Sequence, residues 1–299
     1  MRVVFFGNHD VGIATLDALA QHADVVGVVA HPIDPEEGIR YASLFDFATI
    51  NNLNVTRGKG KDTAVMKFVK GLDPDLVWVT DYRYILPSHL LSIAKFGAIN
   101  LHPSLLPQYR GRASINWAIL NGETEIGLTA HFIDEGVDTG DIITQLKITI
   151  DSDQDVGNAI TALLPKYCSI TRDVLSFFAS GVIPRRAQEH TKSSYFPARR
   201  PEDGRIDWCQ SAGKILNLVR AVAHPYPGAF CESQYGKIFI WKACTSCTMG
   251  IVVGQPGALV GFSEKDNPVI QCGDGFLEIL DCAREDGSKV HLIAGDFLL

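Results

Sequence analysis

Short apolar runs rich in β-branched and aromatic residues recur early in the chain, at 3–6, 25–30 and 76–80. Stretches of helical periodicity lie between them, at 13–21, 42–51 and 64–70. Strands apolar on both faces, alternating with helices, predict a parallel sheet covered on both sides. Residues 98–101 predict a shorter fourth strand, entered from a helix-like stretch at 88–95 through Gly97. Residues 128–133 and 142–150 predict two more strands, joined by a loop over 134–140, and 156–179 predicts a long helix.

Past residue 183 the pattern changes. Residues 184–205 carry Arg185, Arg186, Lys192, Arg199, Arg200 and Arg205 among Pro184, Pro197 and Pro201, a linker composition, since repeated prolines break helix and sheet alike. One helix-like segment follows at 211–223. Short strands with turn signals then come at 229–231, 237–243, 257–261, 269–271, 276–282 and 289–293. Many short strands at this spacing predict a small barrel or sandwich. The expected organisation is an α/β domain over 1–183, a linker over 184–205 and an all-β domain over 206–299.

Composition narrows the function. The 299 residues are 46% hydrophobic and 20% charged, with a formal net charge of −7. That balance argues against a large nucleic-acid surface, which needs clustered Lys and Arg. No apolar run approaches the roughly 18 to 20 residues that span a bilayer, and the apolar start at 3–6 gives way to Gly7-Asn-His-Asp10, so the first strand, not a signal peptide, is expected there. A cytoplasmic protein is the expectation. Seven cysteines, an odd number, fit reduced thiols rather than a disulfide framework. Cys244 and Cys247 have the spacing of half a zinc site, but no second pair accompanies them, and no metal site is expected.

Three stretches carry candidate chemistry. Gly7-Asn-His-Asp-Val-Gly12 joins the first strand to the first helix; it is neither a dinucleotide fingerprint nor a Walker loop, yet it falls at the carboxyl edge of a parallel sheet, where ligands of such sheets sit. Its His9, Asp10 and Gly12 are candidate substrate contacts. Asn100-Leu-His-Pro-Ser-Leu-Leu-Pro-Gln-Tyr-Arg-Gly-Arg112 places Asn100 and His102 on one side of a strand by its period of two, with Pro103 ending the strand just beyond them. Ile133-Asp-Glu-Gly-Val-Asp-Thr-Gly-Asp141 supplies four carboxylates and two glycines between strands; it lacks the calcium-loop pattern, which leaves a plain turn or a catalytic carboxylate.

The stretch 100–111 resembles the Asn-x-His-x-Ser-Leu-Leu-Pro-x-Tyr-Arg-Gly signature of the 10-formyltetrahydrofolate-dependent formyltransferases, and 134–141 resembles their Asp-x-Gly loop. The similarity continues through Asn116-Trp117, 121–125, Gln145 and 219–230. Within that family it is nearest to the members that formylate UDP-4-amino-4-deoxy-L-arabinose, and next to those that formylate methionyl-tRNA. The resemblance implies a Rossmann-like formyltransferase domain followed by an OB-like barrel. It implies Asn100, His102 and Asp138 as the catalytic three. As contacts to the formyl donor, 10-formyltetrahydrofolate, it implies Tyr84, Ile85, Leu86, Arg112, Asp134, Glu135, Gly136, Val137 and Asp138. In that chemistry the Asn100 amide and a protonated His102 would stabilise the oxyanion of a tetrahedral intermediate, with Asp138 in the proton relay.

The acceptor is read from charge. Residues 34–53 hold Asp34, Glu36, Glu37 and Asp46 against Arg40, where tRNA-acting members carry a basic insertion. Residues 206–299 hold seven Lys or Arg against ten Asp or Glu, while 184–205 are basic. An acidic surface with one basic strip suits a diphosphate better than a tRNA backbone. An amino-sugar nucleotide is therefore the expected acceptor, with charged initiator tRNA the alternative and the δ-amine of an ornithine derivative a third. A binding protein that had lost catalysis would be free to change Asn100, His102 and Asp138; all three are present.

Overall fold

The computed structural model describes residues 1–34, 42–246, 254–293 and 295–299. The chain divides into two compact units, Met1–Gly111 with Ile126–Ile148 and Thr161–Phe196, and Arg112–Glu125 with Thr149–Ile160 and Pro197–Leu299.

The first unit is built on β1 (Arg2–Gly7), α1 (His9–His22), β2 (Asp24–Ala30), α2 (Leu44–Ile50), β3 (Val55–Arg57), α3 (Thr63–Gly71), β4 (Leu76–Thr80), α4 (Ser88–Leu91) and β5 (Ala98–His102). A short β6 (Arg110–Gly111) follows; β7 (Glu125–Phe132), β8 (Ile142–Thr149) and β9 (Tyr195–Phe196) come after α5 (Ser114–Leu120), which belongs to the second unit. The seven-stranded sheet has the order β3-β2-β1-β4-β5-β7-β8. Its first five strands are parallel, and β7 adds antiparallel to β5.

This is the Rossmann-like arrangement the alternating pattern predicts, extended at one side by a hairpin. The central strands are covered on both faces: Val3–Phe6 and Leu76–Val77 are fully buried, and Val65 and Val69 of α3 with Leu90 of α4 pack against Val4, Phe6, Val77 and Val79. Burial of apolar side chains on both sheet faces is what makes these strands near-continuous hydrophobic runs.

In the second unit α5, α7 (Ala212–Val222) and a five-stranded antiparallel sheet form the core. The strands are β10 (Ala229–Ser233), β11 (Gly236–Ser246), β12 (Leu259–Phe262), β13 (Pro268–Gln271) and β14 (Phe276–Arg284), in the order β10-β11-β14-β13-β12. Ile215 and Val219 of α7 and Ile238, Ile240, Leu277 and Ile279 of the sheet are buried. The helix α6 (Val156–Ser180) contributes residues to both units.

Some local expectations differ. The predicted strand at 289–293 is reduced to a single bridge between Ala283 and Lys289, and the helix expected over 88–95 ends after one turn at Leu91. The six described cysteines are free. Cys247, the other half of the Cys244 spacing, lies outside the described residues, as do Glu36, Glu37 and Arg40.

Candidate active site

The alternation of β5 puts Asn100 and His102 on one face of the sheet. Antiparallel pairing with β7 sets His131 directly opposite Asn100, hence on that same face. The loop 133–141 folds back over these side chains. Asp134 ties the start of that loop, its Oδ1 accepting from the Gly136 N–H at 3.0 Å and from the Thr139 hydroxyl. Asp138 then takes the left-handed conformation, φ 54°, which a short polar side chain tolerates better than most.

Asp138 is the hub. Its Oδ1 lies 3.5 Å from Asn100 Nδ2 and 3.6 Å from His131 Nε2, and its Oδ2 lies 3.6 Å from His102 Nδ1. The backbone N–H of Gly111 donates to Oδ2 at 2.9 Å. Only the last of these is a short hydrogen bond; the others are ion-pair or limiting distances, leaving room for a reacting group to tighten them. The carboxylate is held from behind as well, since Gln188 Nε2 donates to the carbonyls of Asp138 and Gly140 at 2.9 and 2.7 Å.

The imidazole tautomers follow from the carbonyls. His102 Nε2 sits 2.8 Å from the Tyr109 carbonyl and must carry a proton, which leaves Nδ1 as the basic nitrogen beside Asp138. His131 Nδ1 sits 2.8 Å from the Phe132 carbonyl, so its Nε2 accepts from Asn100 Nδ2 at 3.3 Å. One amide hydrogen of Asn100 is thereby engaged, and the other meets Asp138 Oδ1 only at the limiting distance of 3.5 Å, a contact that a ligand oxygen could displace.

Burial holds His102 below its ordinary value of 6.5, against the upward pull of the Asp138 carboxylate and the Tyr109 carbonyl; His131 and Arg110 act with burial. For Asp138, burial acts upward, but the charge of His102, the hydrogen bond and charge of His131 and the Gly111 N–H outweigh it and keep the carboxyl far below the usual carboxylate range. At neutral pH the resting pair is thus a carboxylate and a neutral imidazole.

Arg110 braces this group from below the surface. It is 1% exposed. Its guanidinium donates to Gln188 Oε1 at 3.2 and 2.6 Å and to the Tyr195 hydroxyl at 2.6 Å, and lies 3.1 Å from His190 Nδ1. The neighbouring Tyr109 ring stacks on Phe196 at 5.1 Å.

The turn after β1 forms a second polar group, at the carboxyl ends of β1, β2 and β4. Asn8 Nδ2 lies 2.7 Å from His31 Nδ1 and 2.8 Å from His9 Nε2, and His9 Nδ1 lies 2.7 Å from Asp81 Oδ2. His9 and Asp81 both have left-handed backbones, φ 55° each. Gly12 packs against the backbone of Gly7, and Asp10 is exposed in the first turn of α1. Of the expected donor contacts, Tyr84, Ile85 and Leu86 lie in the loop after β4, Leu86 buried and Ile85 80% exposed. Glu135, Gly136 and Val137 form the exposed tip of the 133–141 loop. Arg112 is exposed and opens the second unit.

Sequence reasoning missed His131, Gly111, Gln188 and Arg110 as members of the group. Arg110 and Gly111 close the 100–111 signature without being singled out in it. His131 had a local signal, as a histidine at the end of an apolar strand immediately before the acidic loop, and Gln188 had none.

An amide donor beside a buried imidazole base, itself backed by a carboxylate, is the equipment of acyl transfer through an oxyanion. The comparisons with known proteins carry this further. Residues 1–167 match the formyl transferase family and residues 199–294 match the formyl transferase C-terminal domain. The chain belongs to the formyl transferase family.

Solved structures share the fold. WlaRD, described as a sugar 3N-formyl transferase in the presence of dTDP and 5-N-formyl-THF, is 21% identical with a TM-score of 0.68, over 93% of this chain and 96% of that one. An N-formyltransferase from Helicobacter canadensis, in complex with folinic acid and dTDP-3-aminofucose, is 20% identical with a TM-score of 0.68, over 93% of this chain and 97% of that one. HypX from Aquifex aeolicus with tetrahydrofolic acid is 18% identical with a TM-score of 0.58; the match takes in 95% of this chain but 44% of HypX. Among the described residues no helix is long and apolar enough to cross a membrane.

Proposed function

We propose that this formyltransferase moves the formyl group of 10-formyltetrahydrofolate to the amino group of an amino-sugar nucleotide. The observation that carries the chemistry is the juxtaposition of Asn100 and His102, on one face of the sheet, with Asp138 of the loop that covers them. The folded likeness to sugar N-formyltransferases crystallised with dTDP ligands supports the acceptor class.

The residues present suit the folate donor. Ile85 and Val137 are large apolar side chains left open in the two loops the resemblance assigns to it, 80% and 48% exposed, as a flat ring system would want. In this reading Tyr84, Ile85, Leu86, Arg112 and the loop from Asp134 to Asp138 hold the donor, which supplies an activated formyl group. His9, Asp10 and Gly12 serve the acceptor. In this reading the functional parts are a catalytic domain over 1–183, a linker over 184–205 and an accessory domain over 206–299, bounds that differ from those of the two compact units.

Attack of an uncharged amine on the formyl carbon develops negative charge on the formyl oxygen. The Asn100 amide hydrogen that reaches Asp138 Oδ1 only at the limiting distance turns to this oxygen and stabilises it, a kind of contact worth on the order of 3 kcal/mol when it is made only in the transition state. His102 Nδ1 takes the proton the attacking amine must lose. The resulting imidazolium then lies between Asp138 Oδ2 and the Tyr109 carbonyl, so its charge is compensated on both sides. The same proton is available to the departing nitrogen. Holding both reactants in one orientation supplies much of the remaining acceleration.

The test is incubation with 10-formyltetrahydrofolate and a panel of UDP- and dTDP-linked amino sugars, charged initiator tRNA and an ornithine derivative. Mass spectrometry identifies which acceptor gains a formyl group. Formylation of tRNA alone would overturn the acceptor assignment; formylation of none would overturn the reaction.

A further inference from the structure

The second unit contains a cleft that the chemistry at Asn100 and His102 does not use. It encloses about 550 Å³ and is lined by Trp117 and Leu120 of α5, Leu218 of α7, and Pro197, Arg199, Arg200 and Asp203 of the connecting segment. Trp117 and Leu120 are three apart, so both project from one face of α5. They and Leu218 are half-buried, giving the cleft an apolar wall. The volume lies within the range of small-molecule sites, and an apolar wall with a few convergent polar groups is the usual composition of one.

Its polar groups are unusual. The Trp117 indole is fixed by donation from Nε1 to the Pro197 carbonyl at 2.9 Å. The Arg199 guanidinium lies over the ring, 4.9 Å from its centroid. Arg199 Nη2 donates to the Asp203 carbonyl at 2.7 Å, but its Nε is buried with no partner. Burial lowers the Arg199 pKa against the pull of Asp203, as befits a guanidinium held partly out of water. The Asp203 carboxylate is spent on the chain itself, accepting from the Arg200 N–H at 2.7 Å, which leaves the Arg200 side chain exposed at the rim.

We infer that this cleft binds a nucleoside diphosphate. The indole and leucines offer a flat apolar surface to a base. Arg199 and Arg200 offer planar, multidentate donors of the kind that recognise phosphate oxygens. The second oxygen of Asp203 can accept from a ribose hydroxyl or a base N–H. The inference goes beyond the acceptor reading, because it concerns a cleft in the second unit and is tested without folate or formyl transfer.

The experiment is calorimetric titration of the full chain with UDP, dTDP and inorganic pyrophosphate, repeated on Arg200→Glu and Trp117→Leu, with thermal unfolding to check that each variant folds. Arg200 is exposed, so that variant keeps the fold even if Trp117→Leu does not. Loss of charge-assisted hydrogen bonds should weaken nucleotide binding roughly tenfold or more in Arg200→Glu. Trp117→Leu should weaken UDP and dTDP but leave pyrophosphate unchanged. Nucleotide affinity unaltered in Arg200→Glu, or pyrophosphate binding as tightly as UDP, would overturn the inference. Inhibition assays separate the two sources of such a ligand. A change in turnover without competition that disappears in Arg200→Glu marks a separate effector and supports the site, whereas competition between UDP and the acceptor that persists in Arg200→Glu marks the acceptor's own nucleotide bound elsewhere and overturns it.

Discussion

The N–H of Gly111 donates to Asp138 Oδ2 at 2.9 Å, joining the end of the Asn100–Gly111 stretch to the acidic loop. Gly111 can do this because its φ is +95°, and because a Cβ there would run into the Phe196 carbonyl of the paired strand β9. The glycine therefore serves two contacts at once, the carboxylate on one side and the β6–β9 ladder on the other.

Gly111→Ala should accordingly cost stability and turnover together. A side chain in the left-handed region, with no space for its Cβ, should destabilise by on the order of 1–3 kcal/mol. Because Asp138 shifts with the backbone, kcat should fall as well. Urea unfolding and steady-state kinetics on the same preparation check this. Unchanged kcat beside reduced stability would show that the N–H to Asp138 bond has no part in the reaction.

In the proposed mechanism His131 is a positioning residue, touching the two groups that do the work, Asn100 at 3.3 Å and Asp138 at 3.6 Å. In His131→Leu the Asn100 amide keeps only Asp138 Oδ1 as an acceptor and can rotate to tighten that contact. Turnover should drop roughly tenfold to a hundredfold with little change in KM for either substrate, the signature of a contact felt in the transition state. His131→Gln, which restores an acceptor, should recover part of the loss. Equal damage from Leu and Gln would mean that ring packing, not the hydrogen bond, is what matters.

Much of the fold could be read from the pattern of apolar residues, because the buried parallel strands have little freedom in composition. The elements that escaped are those whose stability comes from elsewhere. β3 is three residues long and half-buried, β6 and β9 are two residues each, and α5 is a short helix secured by packing against α7. The site divides in the same way. Asn100 and His102 share a face by strand periodicity alone. Asp138 required the family resemblance, and nothing local indicates that Gln188, fifty positions away, holds its carbonyl. Such contacts depend on tertiary placement, to which a periodicity carries no pointer.

The titration of His102 has a definite sign. A base whose folded pKa is depressed binds fewer protons folded than unfolded, so its contribution to stability is complete above 6.5 and is lost as the pH falls below that value. Asp138 contributes stability present above its unfolded value of 3.8 and lost as pH falls toward the lower folded one. Stability should thus decline in acid in two ranges, and His102→Gln should remove the slope just below 6.5. Nuclear magnetic resonance should place the His102 midpoint below 6.5, and lower still in Asp138→Asn, where the carboxylate that raises it is gone. A midpoint above 6.5 would make His102 a resting cation and restore the oxyanion role expected from sequence.

Arg110 is a buried cation whose named acceptors, Gln188, Tyr195 and His190, are all neutral when His190 is unprotonated. Arg110→Met removes the charge but strands Gln188 Oε1, which the guanidinium holds twice. The change should destabilise by on the order of 2–3 kcal/mol, and turnover should fall through Gln188 and the Asp138 carbonyl it supports. Arg110→Met with Gln188→Leu should be less damaging than the sum of the two, as expected for members of one network. Strict additivity would show that the two residues act independently.

The acceptor class can be settled by salt. A sugar nucleotide presents one diphosphate, so few counterions are released when it binds, and its KM should depend only mildly on ionic strength. A tRNA presents many phosphates, and the logarithmic slope grows by roughly 0.7 to 0.9 for each one neutralised. Raising salt from about 50 to 200 mM should therefore weaken tRNA use by orders of magnitude while changing sugar-nucleotide use little. The measurement is formyl transfer to each acceptor across that range with folate saturating. Acidic residues outnumber basic ones over 206–299, which predicts the shallow dependence. Efficient, steeply salt-dependent formylation of charged initiator tRNA, with no sugar nucleotide accepted, would reverse the assignment. It would make Arg185, Arg186, Arg199, Arg200 and Arg205 a strip that grips a phosphate backbone.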